Sequence, residues 1–131
     1  MTLEIRDLEK SKIDLVFGKI KSSADKIAAD TGTTISLAPL DVTAVPAPTD
    51  PRLRKVIQEA ATGLGLTTKL MPSGAGHDAQ DIARIAPIGM IFVPSIGGIS
   101  HSPKEFTTAS DMENGCQRFA VVVLRVDEKG L

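Results

Sequence analysis

The sequence is poor in aromatic residues and in cysteine. It contains four Phe, no Trp and no Tyr, and Cys116 is its single cysteine. Proteins that bind single-stranded nucleic acid stack bases on aromatic side chains, so this composition argues against that function. One cysteine cannot form an internal disulfide. Any core of this protein has to be aliphatic.

Long apolar runs and clustered charges are also missing. No segment approaches the ~18 apolar residues of a membrane span, and no signal-peptide pattern is visible, so we expect a cytoplasmic protein. The formal net charge is -1 among 131 residues, with Lys and Arg dispersed along the chain. Neither nucleic acid nor a membrane is therefore an expected partner.

Apolar periodicity predicts an α/β fold with helices packed on a sheet. The predicted order is β-α-β, a connector, and then α-β-α-β-α. Strands are predicted over residues 2–8, 33–38, 66–71 and 88–93, and the connector, residues 39–51, contains four prolines. A proline cannot donate to a β-ladder, so the connector is a predicted domain boundary.

Helix boundaries follow from capping residues. Gly32 is expected to end the first helix, and Asp50 with Pro51 to begin the second. The second helix should bury Leu53, Val56, Ile57, Ala60, Ala61 and Leu64.

Two further helices are predicted downstream. A short helix over residues 78–86 should turn Ile82 and Ile85 inward. Ser110 and Glu113 have capping-box spacing for the last helix. Its predicted buried stripe comprises Met112, Cys116, Phe119, Ala120, Val123 and Val126.

Residues 74–79, GAGHDA, are the first candidate site. They satisfy the dinucleotide-binding pattern G-x-G-x-x-[GA] only formally, because the preceding strand is weak and no acidic residue ends the next one. Glycines let a backbone approach a ligand, and a helix N-terminus can receive an anion. The alternative is a tight turn that needs positive φ.

His101 and Arg6 are the other candidates. His101 lies in a Gly-rich segment after an apolar strand, where open α/β sheets place ligands, yet a loop histidine is more often a surface residue. The chain has no H-x-D, no H-E-x-x-H and no paired Cys to complete a zinc site around it. Arg6 could hold a carboxylate through two parallel hydrogen bonds, or be a solvated strand residue.

One long segment resembles a known family. It is residues 73–115, SGAGHDAQDIARIAPIGMIFVPSIGGISHSPKEFTTASDMENG. It resembles the C-terminal signature of the hydantoinase/carbamoylase branch of the zinc amidohydrolases, which includes N-carbamoyl-L-amino-acid hydrolases and allantoate amidohydrolases. LEIRDLEKSKI followed by ADTGTTISLAPLD is similar to the second half of that family's lid domain.

The resemblance implies a domain organisation and a site. Residues 1–45 would be the second half of the lid and dimerisation domain, and residues 46–131 the C-terminal part of a zinc-aminopeptidase-like catalytic domain. His101 would be the last metal ligand, and Arg6 would grip the substrate carboxylate. The substrate pocket would be lined by Gly74, Ala75, Gly76 and His77.

The implied activity is hydrolysis of linear C–N bonds in N-carbamoyl-L-amino acids, allantoate or related ureido acids by metal-activated water. The family's cofactor is zinc or manganese. Its other metal ligands and its catalytic glutamate belong to the part of the chain before LEIRDLEKSKI, where this chain has only Met1 and Thr2, so no catalytic residue is assigned here. We therefore expect a fragment or module that works as a homo-oligomer or with a complementing upstream chain. The alternative is a non-catalytic α/β interaction module or remnant, which would bind no metal.

Overall fold

The computed structural model describes residues 1–40 and 45–131, and the regular elements in these ranges are all helical. They are α1 (Lys10–Thr31), α2 (Pro51–Gly63), α3 (Ala79–Ile82), a 3-10 turn (Ile96–Gly98) and α4 (Ala109–Lys129). Residues 41–44 of the predicted connector lie outside the described residues. The chain divides into two units. The first comprises Met1–Pro48 and Pro72–Asp81, and the second comprises Thr49–Met71 and Ile82–Leu131.

Helix α1 is the main element of the first unit. It ends where the sequence predicts, at Gly32, whose left-handed backbone (φ 67°) suits glycine. Part of its apolar face is half-buried, while Val16, Phe17 and Ile27 are exposed. The helix therefore keeps apolar surface in contact with solvent.

Helix α2 begins as predicted at Asp50 and Pro51. The Asp50 carboxylate accepts a hydrogen bond from the backbone N–H of Arg52 at 2.7 Å, and Pro51 occupies the first turn. All six residues of the predicted apolar stripe are buried or half-buried, and Ala60 and Ala61 have no exposed surface. The prediction for this helix is confirmed.

Helices α2 and α4 pack against each other in the second unit. The Arg125 and Glu59 side chains approach to 4.0 Å. The Arg52 guanidinium donates to the Leu131 carbonyl at 3.5 Å, so the start of α2 meets the end of α4. Val122 is the buried residue of α4. Ala60 and Ala61 of α2 have no exposed surface, so this is the packed part of the unit.

The apolar run 88–93 lies against both helices. The backbone N–H of Asp50 donates to the Ile88 carbonyl at 2.8 Å. A Cβ added at Gly89 would lie 3.1 Å from the side chains of Leu53 and Ile57 on α2. The run is therefore held by close packing on glycine and by a hydrogen bond to the α2 cap.

The predicted strands are wrong. Residues 2–8, 33–38, 66–71 and 88–93 form no strand within the described parts of the chain, so the expected β-α-β arrangement is not found. Alternating polarity shows which side chains favour burial, but a strand also needs a neighbour whose amides complete the ladder. In these segments the backbone makes isolated bonds instead, such as that from Leu66 N–H to the Ala61 carbonyl at 2.9 Å.

The prediction for α4 is also partly wrong. Thr108, not Ser110, is the N-cap, because its hydroxyl accepts from the Asp111 N–H at 3.1 Å. Cys116 is exposed, and Phe119 is 62% exposed. Apolar residues occur on more than one face of α4, and its buried residue is Val122, which the predicted stripe omitted.

The short helix is shorter than predicted. Helix α3 has four residues, Ala79–Ile82, rather than the nine residues 78–86. Ile82 is exposed and Ile85 is 84% exposed, so the expectation that both turn inward is wrong. A helix of this length has one turn of hydrogen bonds and little cooperativity to sustain it.

Candidate active-site segments

Hydrogen bonds centred on Ser73 and Gln80 hold the segment that contains His77. The Ser73 hydroxyl lies 2.7 Å from His77 Nε2 and accepts from the Ala75 N–H at 3.3 Å. The Gln80 side chain accepts from the His77 N–H at 3.1 Å and donates to the Val45 carbonyl at 2.9 Å. Both the imidazole ring and the backbone of His77 are thereby fixed.

Arg6 reaches this segment within the same unit. Its Nη1 donates to the Gly74 carbonyl at 3.3 Å, although the two residues are 68 positions apart. Glu4 holds the other edge of the guanidinium, because Glu4 Oε1 lies 2.7 Å from both Nε and Nη2. The Arg6 side chain is 59% exposed. The first unit therefore brings together Arg6 and the glycine-rich segment, two of the candidates identified in the sequence.

Gly74 and Gly76 do not serve a positive-φ turn. The described glycines with positive φ are Gly32, Gly65, Gly97, Gly98 and Gly130. A Cβ added at Gly74 would meet no atom within 4 Å. The turn interpretation of this pair is therefore wrong. The anion-binding interpretation required a helix N-terminus after these glycines. It is not supported either, because α3 is only four residues long.

His101 lies in the second unit in a strained backbone conformation. Its φ of 53° is the only positive value among the described non-glycine residues. The His101 N–H donates to Glu105 Oε2 at 2.8 Å, and the Glu105 N–H donates to the Ser102 carbonyl at 2.9 Å. Left-handed backbone at a non-glycine residue costs energy and persists where its surroundings hold it, often at functional sites. Glu105 supplies that restraint here.

The described residues do not make a complete metal site. Over residues 1–40 and 45–131, no three His, Cys, Asp or Glu side chains come together in a group that could hold a metal ion. Zinc takes three or four protein ligands, so His101 can supply one ligand but does not by itself fit a zinc centre.

Sequence reasoning missed the residues that support the candidates. Glu4, Ser73, Gln80 and Glu105 make the contacts just described, and none was singled out from the sequence. A signal for two of them was available, since Ser73 lies four residues before His77 and Glu105 lies four residues after His101. Such spacings occur often by chance and mean little before the backbone is known.

Comparison with known proteins decides the family. Residues 4–125 match the family described as peptidase family M20/M25/M40. The chain belongs to this family.

Relatives of this M20-family chain include plant and bacterial hydrolases. It is 35% identical over 126 residues to a ureidoglycolate hydrolase of Arabidopsis thaliana, covering 96% of this chain and 26% of the relative. It is 53% identical over 70 residues to the allantoate amidohydrolase of Bacillus subtilis, covering 53% of this chain and 17% of that protein. The chain thus spans about a quarter or less of these relatives, consistent with the C-terminal part that its signature predicts.

A solved structure gives the same relationship. A crystal structure of a Burkholderia cenocepacia protein assigned as an amidohydrolase/peptidase matches with a TM-score of 0.69 and 33% identity. The match covers 90% of this chain and 29% of that one.

The assignments of Arg6, residues 74–77 and His101 stay predictions, as does the division at residue 45. Among the described helices, none is long and apolar enough to cross a membrane.

Proposed function

We propose that this M20-family chain supplies the C-terminal part of the site of a metal-dependent amidohydrolase that cleaves linear C–N bonds in ureido acids. The class includes N-carbamoyl-L-amino acids, allantoate and ureidoglycolate. The observation that carries the proposal is the hydrogen bond from Arg6 Nη1 to the Gly74 carbonyl. It supports a shared role for an arginine and a glycine-rich segment far apart in the sequence.

The charge of Arg6 suits a ureido acid. These substrates carry a carboxylate, and a guanidinium binds a carboxylate through two parallel hydrogen bonds. Glu4 Oε1 now accepts from Nε and Nη2, the edge that such a pair would use. A substrate carboxylate would replace Glu4 on this edge while Nη1 stays on Gly74.

The glycine-rich segment suits close approach of a ligand. Gly74 has open space where a side chain would lie, and neither Gly74 nor Gly76 is needed for a positive φ. Their lack of side chains therefore leaves backbone N–H and carbonyl groups accessible to a polar substrate. His77 adds an imidazole whose position is fixed by Ser73.

His101 is the proposed metal ligand of this chain. Its strained backbone and the bond to Glu105 support a role for the imidazole that outweighs the cost of the conformation. Zinc or manganese is the proposed metal. Because the described residues supply one ligand, the remaining ligands and the base for water would come from another part of a larger site.

Association of chains is part of the proposal. Large apolar side chains of α1 are exposed, among them Leu15, Phe17 and Ile27. Exposed apolar surface drives association. We propose either a homo-oligomer or assembly with a complementing chain. Light scattering on the purified chain would separate the homo-oligomer from a monomer, and a monomer would leave assembly with a complementing chain.

A chimaera tests the proposed function. The segment of the Arabidopsis thaliana ureidoglycolate hydrolase that matches over 126 residues would be replaced by this chain, and hydrolysis of ureidoglycolate, allantoate and N-carbamoyl-L-alanine would be measured with zinc and with manganese. We expect hydrolysis of at least one substrate. His101→Ala should abolish it and reduce bound metal, and Arg6→Ala should raise KM more than Arg6→Lys does.

Lys104→Ala is the control, because Lys104 is exposed and lies three residues from His101. Circular dichroism would establish that each variant is folded. A folded chimaera that is inactive with both metals would contradict the proposal and favour a non-catalytic module. Activity that is insensitive to both Arg6 and His101 would contradict the assignment of the site.

A further inference from the structure

Residues 101–105, HSPKE, form a tight turn that brings the end of this segment back to its start. The Glu105 N–H donates to the Ser102 carbonyl at 2.9 Å, and the Lys104 N–H donates to the Ser102 hydroxyl at 3.3 Å. Ser followed by Pro favours such a turn, because the hydroxyl can accept from the backbone and the proline ring fixes φ. The turn thereby places the Glu105 side chain where it accepts from the His101 N–H at 2.8 Å.

Other contacts close the base of the surrounding loop. The Ile96 N–H donates to the Phe106 carbonyl at 2.8 Å, and the Ser95 hydroxyl donates to the Ile99 carbonyl at 2.6 Å. Neither bond involves the turn. Removal of the Glu105 carboxylate should therefore leave the loop closed.

The direction of the His101 imidazole depends on the torsion that Glu105 restrains. This torsion, φ, is the rotation about the N–Cα bond, so it determines where Cβ points relative to the N–H. Here φ is 53°, a value that histidine adopts more readily than most residues but still uncommonly. The carboxylate makes a charge-assisted hydrogen bond to the N–H, which is stronger than a neutral one. Holding the N–H therefore limits the directions in which the side chain can leave the backbone.

Two other features could produce the same φ at His101. They are the intrinsic tendency of histidine and the geometry of the turn itself. Both would survive the loss of the Glu105 carboxylate, since the turn is closed by the Glu105 backbone N–H and the Ser102 carbonyl. The three explanations therefore differ in what a change of this one side chain does.

We propose that Glu105 is a positioning residue that holds His101 in the left-handed conformation and so fixes the direction in which the imidazole is presented. His101 is exposed, so packing does not hold its backbone, and the Glu105 carboxylate binds its N–H. This inference rests on the proposed function for what the imidazole binds. The part that concerns the backbone stands on the contacts of Glu105.

NMR of the full 131-residue chain tests the backbone directly. An amide proton lies closer to the Hα of its own residue at positive φ than at negative φ, so the NOE between the two protons reports the conformation. We expect a strong NOE for His101 in the native chain. It should fall in Glu105→Ala to the level of the other described non-glycine residues, none of which has a positive φ. Glu105→Gln should retain it, because the side-chain amide carbonyl still accepts a hydrogen bond.

Lys104→Ala is the matched control, because Lys104 lies in the same turn and has an exposed side chain. It should leave the His101 NOE unchanged. An NOE of native strength in Glu105→Ala would overturn the inference, and so would its equal loss in Glu105→Ala and Glu105→Gln. Unchanged amide shifts at Ile96 and Phe106 would establish that the loop stays closed in both variants.

Zinc binding separates this inference from the proposed function. The chimaera with the Arabidopsis thaliana relative would be freed of metal, and its zinc affinity measured by competition with a chelator. A ligand that adopts its binding conformation for part of the time lowers the affinity in proportion, so we expect roughly tenfold weaker binding in Glu105→Ala and recovery in Glu105→Gln. Native affinity in Glu105→Ala would overturn the positioning role. If His101→Ala does not weaken zinc binding, the metal assignment of the proposed function fails, and the NOE still decides whether Glu105 holds the His101 backbone.

Discussion

The second unit contains all four buried apolar residues of the described chain, whereas the first unit contains none. The four are Ala60, Ala61, Ile88 and Val122. The first unit instead has a 22-residue helix, a set of polar contacts around His77 and the exposed pair of Glu4 and Arg6. Local stability follows buried apolar contacts more than exposed hydrogen bonds. The substrate-binding candidates therefore lie in the unit with the smaller core, and the metal-ligand candidate lies in the better packed one.

The largest expected effect is overpacking of the second unit. Ala60 has no exposed surface on the helix that packs against α4, so Ala60→Leu has no space for the larger side chain. The free energy of unfolding should fall by about 1–3 kcal/mol in chemical denaturation followed by circular dichroism. Ala29→Leu on the exposed face of α1 is the control and should change it by less than about 0.5 kcal/mol. Equal losses would mean that the two units do not differ in packing.

A second substitution tests whether the His101 backbone is strained. Glycine adopts a φ of 53° without the penalty of a side chain, so His101→Gly should be more stable than His101→Ala by about 1 kcal/mol. Both variants lose the imidazole, and only the backbone preference separates them. Ser95, with a φ of -110°, is the control position, where glycine should be the less stable of the two. The reverse order at position 101 would show that the backbone is relaxed.

The loss of folding stability at acidic pH should arise in the second unit. The hydrogen bond from the Arg52 guanidinium lowers the pKa of Asp50 from 3.8 to about 2. Because the folded-state pKa lies below the unfolded value, this contribution is complete above about pH 4 and disappears as the pH falls towards 2. Thermal unfolding monitored over this range should show a steeper loss for the native chain than for Asp50→Asn, which can still cap α2. Parallel profiles would exclude Asp50 as the source.

The smallest expected effect concerns the exposed pair in the first unit. Glu4→Gln should change stability by less than about 0.5 kcal/mol, since exposed ion pairs contribute little. It should nevertheless strengthen binding of N-carbamoyl-L-alanine, because the substrate carboxylate would no longer compete with Glu4 for Arg6. NMR titration at equal ionic strength would measure the affinity of the native chain and of Glu4→Gln for this ligand. Weaker binding in Glu4→Gln would indicate that Glu4 orients Arg6 rather than competing with the substrate.

Features encoded by neighbouring residues were predictable from the sequence. Asp50 and Pro51 determine the start of α2, and Gly32 determines the end of α1, because caps act within one turn of the helix. Family membership was also predictable, since the ordered signature in residues 73–115 is long and specific. The family match over residues 4–125 confirms it.

Features that depend on a distant partner were not predictable. The alternating segments could not reveal whether a neighbouring strand exists, and the apolar faces of α4 could not reveal that Val122 is the buried one. In the candidate site, Arg6 and Gly74 were identified separately, but their contact depends on how the first unit folds. Ser73 and Gln80 escaped notice because their importance comes from geometry rather than from residue type.

The close approach at Gly115 also affects how this sequence can vary. A Cβ added there would lie 2.5 Å from Val93 Cγ1, whereas a Cβ added at Gly98 would meet nothing within 4 Å. At position 98, only the left-handed backbone conformation limits the choice of residue. Asn tolerates that conformation and is therefore an acceptable substitution. Position 115 is linked to position 93, so a larger residue at one requires a smaller residue at the other. A larger residue at position 115 alone should therefore destabilise the protein. The same change paired with a smaller residue at position 93 should be tolerated.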